Sequence, residues 1–307
     1  MTGDALIRTT DLRKVYGSRV ALSDVDLAVP AGSVYGLVGP NGAGKTTLLG
    51  VLAGLRRATS GRIQVGLDRR KVAVLPDTPL FDPWLTAREA VDLARSLVAP
   101  QLPAGSVDAA LRETGLQDAA DRRVGGFSRG MLQRLGLATT VVGEPELLIL
   151  DEPCSALDPA GRRDVLDLVA RLGRRGTVLF SSHILGDVER VCDTVGVLRE
   201  GRLLYQGSMD GLLTGHVAPA YRIRVRDGAD PAGGTDGAGR VVDALRAEPW
   251  VSDVSREGGP NDVVVGVRSI DEAERGLVRV LAGTGIRIVS VEPVEADLER
   301  VFLELTS

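Results

Sequence analysis

The stretch GPNGAGKT, residues 39–46, has the makeup of an anion site. Glycines at 39, 42 and 44 permit backbone geometry that side chains would block, so successive N–H groups can turn toward phosphate oxygens. Lys45 adds a mobile positive charge for β- and γ-phosphates, and the Thr46 hydroxyl is a hard oxygen donor suited to Mg2+. Further along, ELLILDEP ends an apolar run with Asp151 and Glu152. The first carboxylate stands where Mg2+ needs an acidic partner. The second would face the γ-phosphate and could orient or deprotonate an attacking water. His183 closes another apolar run, TVLFSSH, from where it can reach the same crevice. The chemistry these types fit is hydrolysis of a nucleoside triphosphate with Mg2+.

Such residues need elements that bring them together. The runs SVYGLVG, KVAVLP, ELLILDEP, TVLFSSH and TVGVLREG read as strands, most followed by a turn or a helix. That alternation predicts an α/β domain with a largely parallel sheet. GPNGAGKT lies between a strand and a helix, the context a phosphate-binding loop requires, and the helix starting near Lys45 adds its positive dipole end. Between KVAVLP and ELLILDEP the strand pattern stops, and residues 85–140 read as helices inserted in the sheet domain. TAREAVDLARSL opens with a capping box, Thr86 with Glu89. Asp158 and Pro159 suit the N-cap and first position of the helix PAGRRDVLDLVARL, and any contact across a dimer would be additional.

The pattern changes after LLYQGSMDGLLTG. YRIRVR alternates as a strand should, and DGADPAGGTDGAGR reads as a flexible loop. A helix at 240–247, the strands WVSDVS and DVVVGV, a helix capped by Ser269 with Glu272, and the strand IRIVSVEP follow. This β-α-β-β-α-β order predicts a ferredoxin-like unit, with a last helix over 295–307. The expected domains are 1–215 and 216–307, and the second shows no catalytic constellation.

Composition narrows the class. The chain has 307 residues, 44% hydrophobic and 25% charged, which suits a folded protein with a sizeable core. No apolar run reaches the roughly 18 residues of a membrane span, and the N-terminus lacks a signal-peptide core. A cytosolic protein, able to dock on a membrane partner, is the expectation. Cys154 and Cys192 suggest neither a disulfide framework nor a metal site, and two histidines make a histidine metal centre improbable. After position 217 there are 16 acidic against 11 basic residues, while the rest is nearly balanced within a net charge of −4. No basic stripe suggests a nucleic-acid partner.

FSRGM, residues 127–131, contains no catalyst, yet it completes a pattern. The chain resembles the ATP-binding subunit of ATP-binding-cassette transporters, whose signature loop is usually Leu-Ser-Gly-Gly-Gln. The form FSRGM looks like that of the branch exporting drugs, antibiotics or lipids. The resemblance covers about 215 residues with motifs in family order. It implies that Tyr16 stacks on adenine and that Gly39, Asn41, Gly42, Gly44, Lys45, Thr46 and Thr47 cradle the phosphates of ATP. It implies that Asp151 and Thr46 hold Mg2+, that Glu152 is the hydrolytic base and that His183 senses the γ-phosphate. Ser128 and Gly130 would serve the ATP of another subunit, and Asp158 would cross the dimer. Two positions depart from the family. Asp77 stands where Gln usually contacts Mg2+ and the attacking water; Asp is shorter and charged, so metal contact there stays open. Cys154 stands where Thr is common.

The implied function is an ATPase that powers export of a small molecule through a separate integral membrane permease. Two copies would close around two ATP molecules at the inner face of the plasma membrane, as ATP can drive change only by favouring the closed pair. The neighbourhood DTPLFDPWLT would meet the membrane partner. The alternative is a soluble cassette ATPase acting on nucleic acid or ribosomes; such relatives carry tandem cassettes, coiled-coil insertions or basic arms, and this chain has none of them. The C-terminal part, ending in LERVFLELT, also resembles the exporter branch. It reads equally as a structural or dimer-supporting appendage, and a regulatory ligand is permitted there.

Overall fold

The computed structural model describes residues 5–155, 157–216, 219–226 and 236–294. The chain divides into two compact units that part at Leu212 and Leu213, and each is described by itself.

The first unit opens with an antiparallel sheet that the sequence pattern does not announce. Strand β1 (Ala5–Tyr16) pairs with β2 (Arg19–Val25) and β3 (Ala28–Pro30). Strand β4 (Val34–Val38) is buried at all five positions and delivers the chain to helix α1 (Lys45–Leu52). Strand β5 (Ser60–Val65) returns to β1, and β6 (Val72–Leu75) enters the second sheet. Three helices follow before the next strand: α2 (Ala87–Val98), α3 (Gly105–Glu113) and α4 (Arg129–Val141). At α2 the full capping box forms, with the Glu89 carboxylate reaching back to the Thr86 N–H at 2.8 Å.

Strand β7 (Leu147–Leu150) leads through a turn to α5 (Pro159–Gly173), and β8 (Thr177–Ser182) leads to α6 (Leu185–Val191). A hairpin of β9 (Thr194–Arg199) and β10 (Arg202–Ser208) precedes α7 (Met209–His216). The second sheet runs β10-β9-β4-β8-β7-β6, parallel throughout except between β9 and β10. Strands β4, β7 and β8 are buried along their whole length, as a sheet covered on both faces requires. One core joins the two sheets through Ile7, Leu12 and Leu22 on one side and Leu37, Ile149 and Leu179 on the other, together with Leu48 and Leu49 of α1. Burying such side chains is worth about 1.5–3 kcal/mol each relative to exposure.

The second unit contains β11 (Ala220–Val225), α8 (Gly237–Arg246), β12 (Val251–Arg256), β13 (Asp262–Val267), α9 (Ile270–Gly283) and β14 (Ile288–Val294). Its sheet runs β12-β13-β11-β14, antiparallel throughout. Val241 and Leu245 of α8 and Leu277 of α9 pack with Ile223, Val263 and Val265 of the strands. Helix α8 starts earlier than the periodicity indicates, because Asp236 accepts the Gly239 N–H at 2.9 Å and caps it. At α9 the Ser269 hydroxyl accepts the Glu272 N–H at 3.4 Å, which is one half of the expected reciprocal pair. Most of the Gly/Asp-rich loop and the helix expected over 295–307 lie outside the described residues.

Candidate nucleotide site

The site is built around the step from β4 to α1. Gly44 has φ 110 and Gly42 φ 84, conformations that side chains rarely adopt. A Cβ on Gly44 would lie 2.7 Å from the Ala21 carbonyl oxygen, and one on Gly39 would lie 2.2 Å from the Leu198 carbonyl oxygen. At Gly42 a Cβ would meet nothing closer than the Arg19 guanidinium, 4.0 Å away. Two glycines therefore let the loop press against its neighbours, and the third leaves the backbone open toward the cleft. The loop is braced from behind by the β9–β10 turn, where Gly201 donates its N–H to the Ala43 carbonyl at 2.8 Å. Glu200 and Gly201 both have positive φ, as a tight hairpin turn demands.

A cleft of about 720 Å³ opens over this loop, within the range of small-molecule sites. Tyr16, Asn41, Gly42, Gly44, Lys45, Thr46, Thr47, Asp77, Glu152 and His183 all line it, so residues far apart in sequence converge. Lys45 is only 6% exposed; its Nζ donates to the Gly39 carbonyl at 2.7 Å and lies 3.3 Å from Glu152 Oε1. The other oxygen, Oε2, accepts from His183 Nδ1 at 2.8 Å, which requires the proton on that nitrogen. Both oxygens of Glu152 thus have named partners. Tyr16 is anchored from two sides, with its hydroxyl accepting from Arg56 at 3.1 Å and the Lys14 ammonium 4.6 Å from its ring centre.

Asp151 is buried at the end of β7 and takes hydrogen bonds from the Ser181 and Thr46 hydroxyls. Burial pushes its carboxyl above the ordinary value; those two hydrogen bonds oppose the shift, and the negative charges of Asp77 and Glu152 add to it. Asp77 itself accepts from the Ser155 hydroxyl at 3.2 Å. The oxygens of Thr46, Asp151 and Asp77 are the hard donors that Mg2+ prefers. Among the described residues no group of three or more His, Cys, Asp or Glu could cage a metal. The donor set fits an ion that keeps waters and takes its remaining ligands from substrate phosphates.

Five predicted residues do not line the cleft: Gly39 and Asp151 lie behind its wall, and Ser128, Gly130 and Asp158 stand apart from it. Ser128 caps α4, accepting the Met131 N–H at 3.2 Å, and Gly130 sits in the first turn of that helix. Asp158 caps α5 through the Gly161 N–H at 2.9 Å. Sequence reasoning missed Arg19, Ser155, Glu200 and Gly201 in the cleft wall and Ser181 behind it. Only Ser181 carried a signal, its two-residue spacing from His183, which follows the end of the same strand.

A Gly-rich loop between a buried strand and a helix, facing an acidic strand end on a parallel sheet, defines a P-loop nucleoside triphosphatase. Residues 22–155 match the family model described as ABC transporter. Over 306 residues the chain is 35% identical to an uncharacterized ABC transporter ATP-binding protein, YxlF, of Bacillus subtilis (strain 168), covering 98% of this chain and 99% of the relative. A daunorubicin resistance ATP-binding protein, DrrA3, of Streptomyces coeruleorubidus is 33% identical, with 99% and 96% covered. The bacitracin transport ATP-binding protein BcrA of Bacillus licheniformis is 38% identical, with 67% and 71% covered. Among solved structures, an ATP-binding subunit of an ABC transporter superposes with a TM-score of 0.62 at 31% identity, covering 68% of this chain and 92% of that one. The chain belongs to the ATP-binding proteins of ABC transporters.

Proposed function

We propose that this chain is the ATP-hydrolysing subunit of an exporter, powering movement of a small molecule such as a drug, antibiotic or lipid through a separate integral membrane permease. The observation that carries the reading is the convergence of Lys45, Thr46, Glu152 and His183 on one cleft over the phosphate loop. Gly42, Gly44, Asn41 and Thr47 bind the phosphates of ATP through backbone and hydroxyl groups, with Gly39 shaping the turn, and Tyr16 stacks on the base. Thr46 and Asp151 would hold Mg2+, and Asp77 lines the same cleft; when bound, the ion would neutralise charge on the β- and γ-phosphates. Glu152 orients the attacking water and takes its proton, while His183 fixes the carboxylate by its 2.8 Å hydrogen bond.

Ser128 and Gly130, outside this cleft at the start of a helix, suit the γ-phosphate of a second copy, and Asp158 the dimer seam. A homodimer of cassettes follows. No helix among the described residues is long and apolar enough to cross a membrane; the proposed transport path lies in the separate permease. The exposed Leu80 and Trp84, at 88% and 65%, offer that partner apolar side chains ahead of the inserted helices. The site then works at the inner face of the membrane. The second unit is a ferredoxin-like accessory domain, and residues 1–215 are the cassette. DrrA3 matches across both parts, which supports the exporter branch over soluble cassettes acting on nucleic acid or ribosomes.

The test compares wild type with Glu152→Gln and Lys45→Ala. Glu152→Gln should bind ATP and dimerise by size-exclusion chromatography while hydrolysing about 10²–10⁴-fold more slowly. Lys45→Ala should weaken ATP binding itself. Wild-type turnover in Glu152→Gln would sink the assignment. Co-purification from detergent-solubilised membranes should bring down a multi-spanning protein that lacks its own cassette.

A further inference from the structure

Ser181 belongs to β8, two residues before His183, and is fully buried. The four residues before it in that strand are Thr, Val, Leu and Phe, and all are buried. A hydroxyl buried in such surroundings has to find partners. Its partners are the two acidic residues of the site. Ser181 Oγ accepts the backbone N–H of Glu152 at 3.0 Å and donates to Asp151 Oδ1 at 2.6 Å.

Each bond addresses a different need. Glu152 has φ 48, a left-handed conformation that a non-glycine residue keeps only when its surroundings hold it there. The hydroxyl lone pair receives the N–H of that same residue, and Glu152 also closes the following turn by accepting the Ser155 N–H at 3.1 Å. A hydroxyl carries one proton, and here it goes to Asp151, which leaves the carboxylate's rotation about its own side chain restricted. The Asp151 N–H is tied to the Leu75 carbonyl at 2.9 Å, so backbone and side chain are both held.

We propose that Ser181 is a positioning residue of the ATPase, one buried hydroxyl that orients the metal-side carboxylate of Asp151 and holds the backbone of the base, Glu152. The inference rests on the cassette reading above. Neither bond involves the phosphate loop, so losing the hydroxyl disturbs metal use and the base while nucleotide binding without metal is spared. A merely structural serine would instead affect all of these together, through the stability of β8.

The experiment uses the full chain as wild type, Ser181→Ala, Ser181→Thr and Ser181→Cys. Binding of a fluorescent ATP analogue is titrated in EDTA and again with increasing Mg2+, alongside hydrolysis and the thermal midpoint. For Ser181→Ala, affinity in EDTA should stay within about threefold of wild type, while the Mg2+ needed for half-maximal tightening rises about 10–100-fold. Turnover at saturating Mg2+ should fall as well. Threonine keeps the hydroxyl and should restore the Mg2+ dependence; cysteine, a weak donor, should fall between. An unchanged Mg2+ requirement in Ser181→Ala overturns the proposal, as does an equal loss of binding in EDTA. If the alanine variant does not fold, threonine and cysteine carry the test, and equal Mg2+ dependence in those two overturns it. Absence of Mg2+-dependent nucleotide binding in the wild type would overturn the cassette reading, and this inference with it.

Discussion

The pairing of Lys45 with Glu152 can be weighed by a double-mutant cycle. The two groups lie 3.3 Å apart, and Lys45 and Glu152 are 6% and 14% exposed. At an effective dielectric of about 20 their gross attraction is about 5 kcal/mol. Desolvation of both ions offsets much of that. Lys45 also keeps its hydrogen bond to the Gly39 carbonyl in every variant that retains the lysine. The expected net coupling is therefore about 1–3 kcal/mol. The variants are Lys45→Met, Glu152→Gln and the pair together; His183 is untouched in all of them, so its contact with Glu152 cancels to first order. Urea unfolding of the cassette transition, purified without nucleotide and followed by circular dichroism, gives the free energies. In a parallel thermal melt, a coupling of that size should appear as a non-additivity of about 2–12 °C among the midpoints. Saturating ATP should reduce it, because phosphate oxygens compete for the same ammonium. A coupling under about 0.5 kcal/mol would mean that the two charges do not meet in solution, and the reasoning about how Lys45 and Glu152 share the cleft would be wrong.

Other expectations follow from the same geometry. Gly44→Ala would force a Cβ to within 2.7 Å of the Ala21 carbonyl at φ 110, costing about 2–4 kcal/mol; a thermal midpoint within a degree or so of wild type would refute the close packing. Burial pushes the Cys154 thiol up to about 12, and Asp187 adds to the shift. Cys192 is raised as well, again first by burial. At about pH 8 the Cys154 thiolate fraction is then on the order of 10⁻⁴, so neither thiol should react with a disulfide reagent until denaturant is added. Rapid labelling of the native protein would contradict their burial. In the second unit, Arg256 holds the Asp236 carboxyl below the 3.8 of a free aspartate, and Arg224 does the same for Asp262. Their contribution is complete above that pH and is lost as the pH falls through the lowered values. Arg256→Gln with Arg224→Gln should flatten the acid limb of that unit's unfolding curve, and an unchanged limb would show the pairs to be idle.

The sequence by itself determined whatever depends on neighbours along the chain. GPNGAGKT reads as a phosphate loop because its glycines, lysine and threonine act within one turn of backbone and one helix start. The Thr86 and Asp158 caps are legible for the same reason, since each bond spans three residues. Continuous apolar runs such as LLIL and TVLFSS mark buried parallel strands without any knowledge of what covers them. The first sheet was not legible, because β1 carries charged residues along its length and finds its partners in β2, β3 and β5, on elements a local pattern cannot connect. The same limit applies at the site. Arg19, Glu200 and Gly201 join the cleft only because the hairpins β1–β2 and β9–β10 close against the phosphate loop. Tertiary structure alone decided that Glu152 meets Lys45 and His183 at once, and that Ser181 meets Asp151. Those contacts depend on the order of β4, β8 and β7 across the sheet, which sets adjacent strand ends side by side regardless of their separation in sequence.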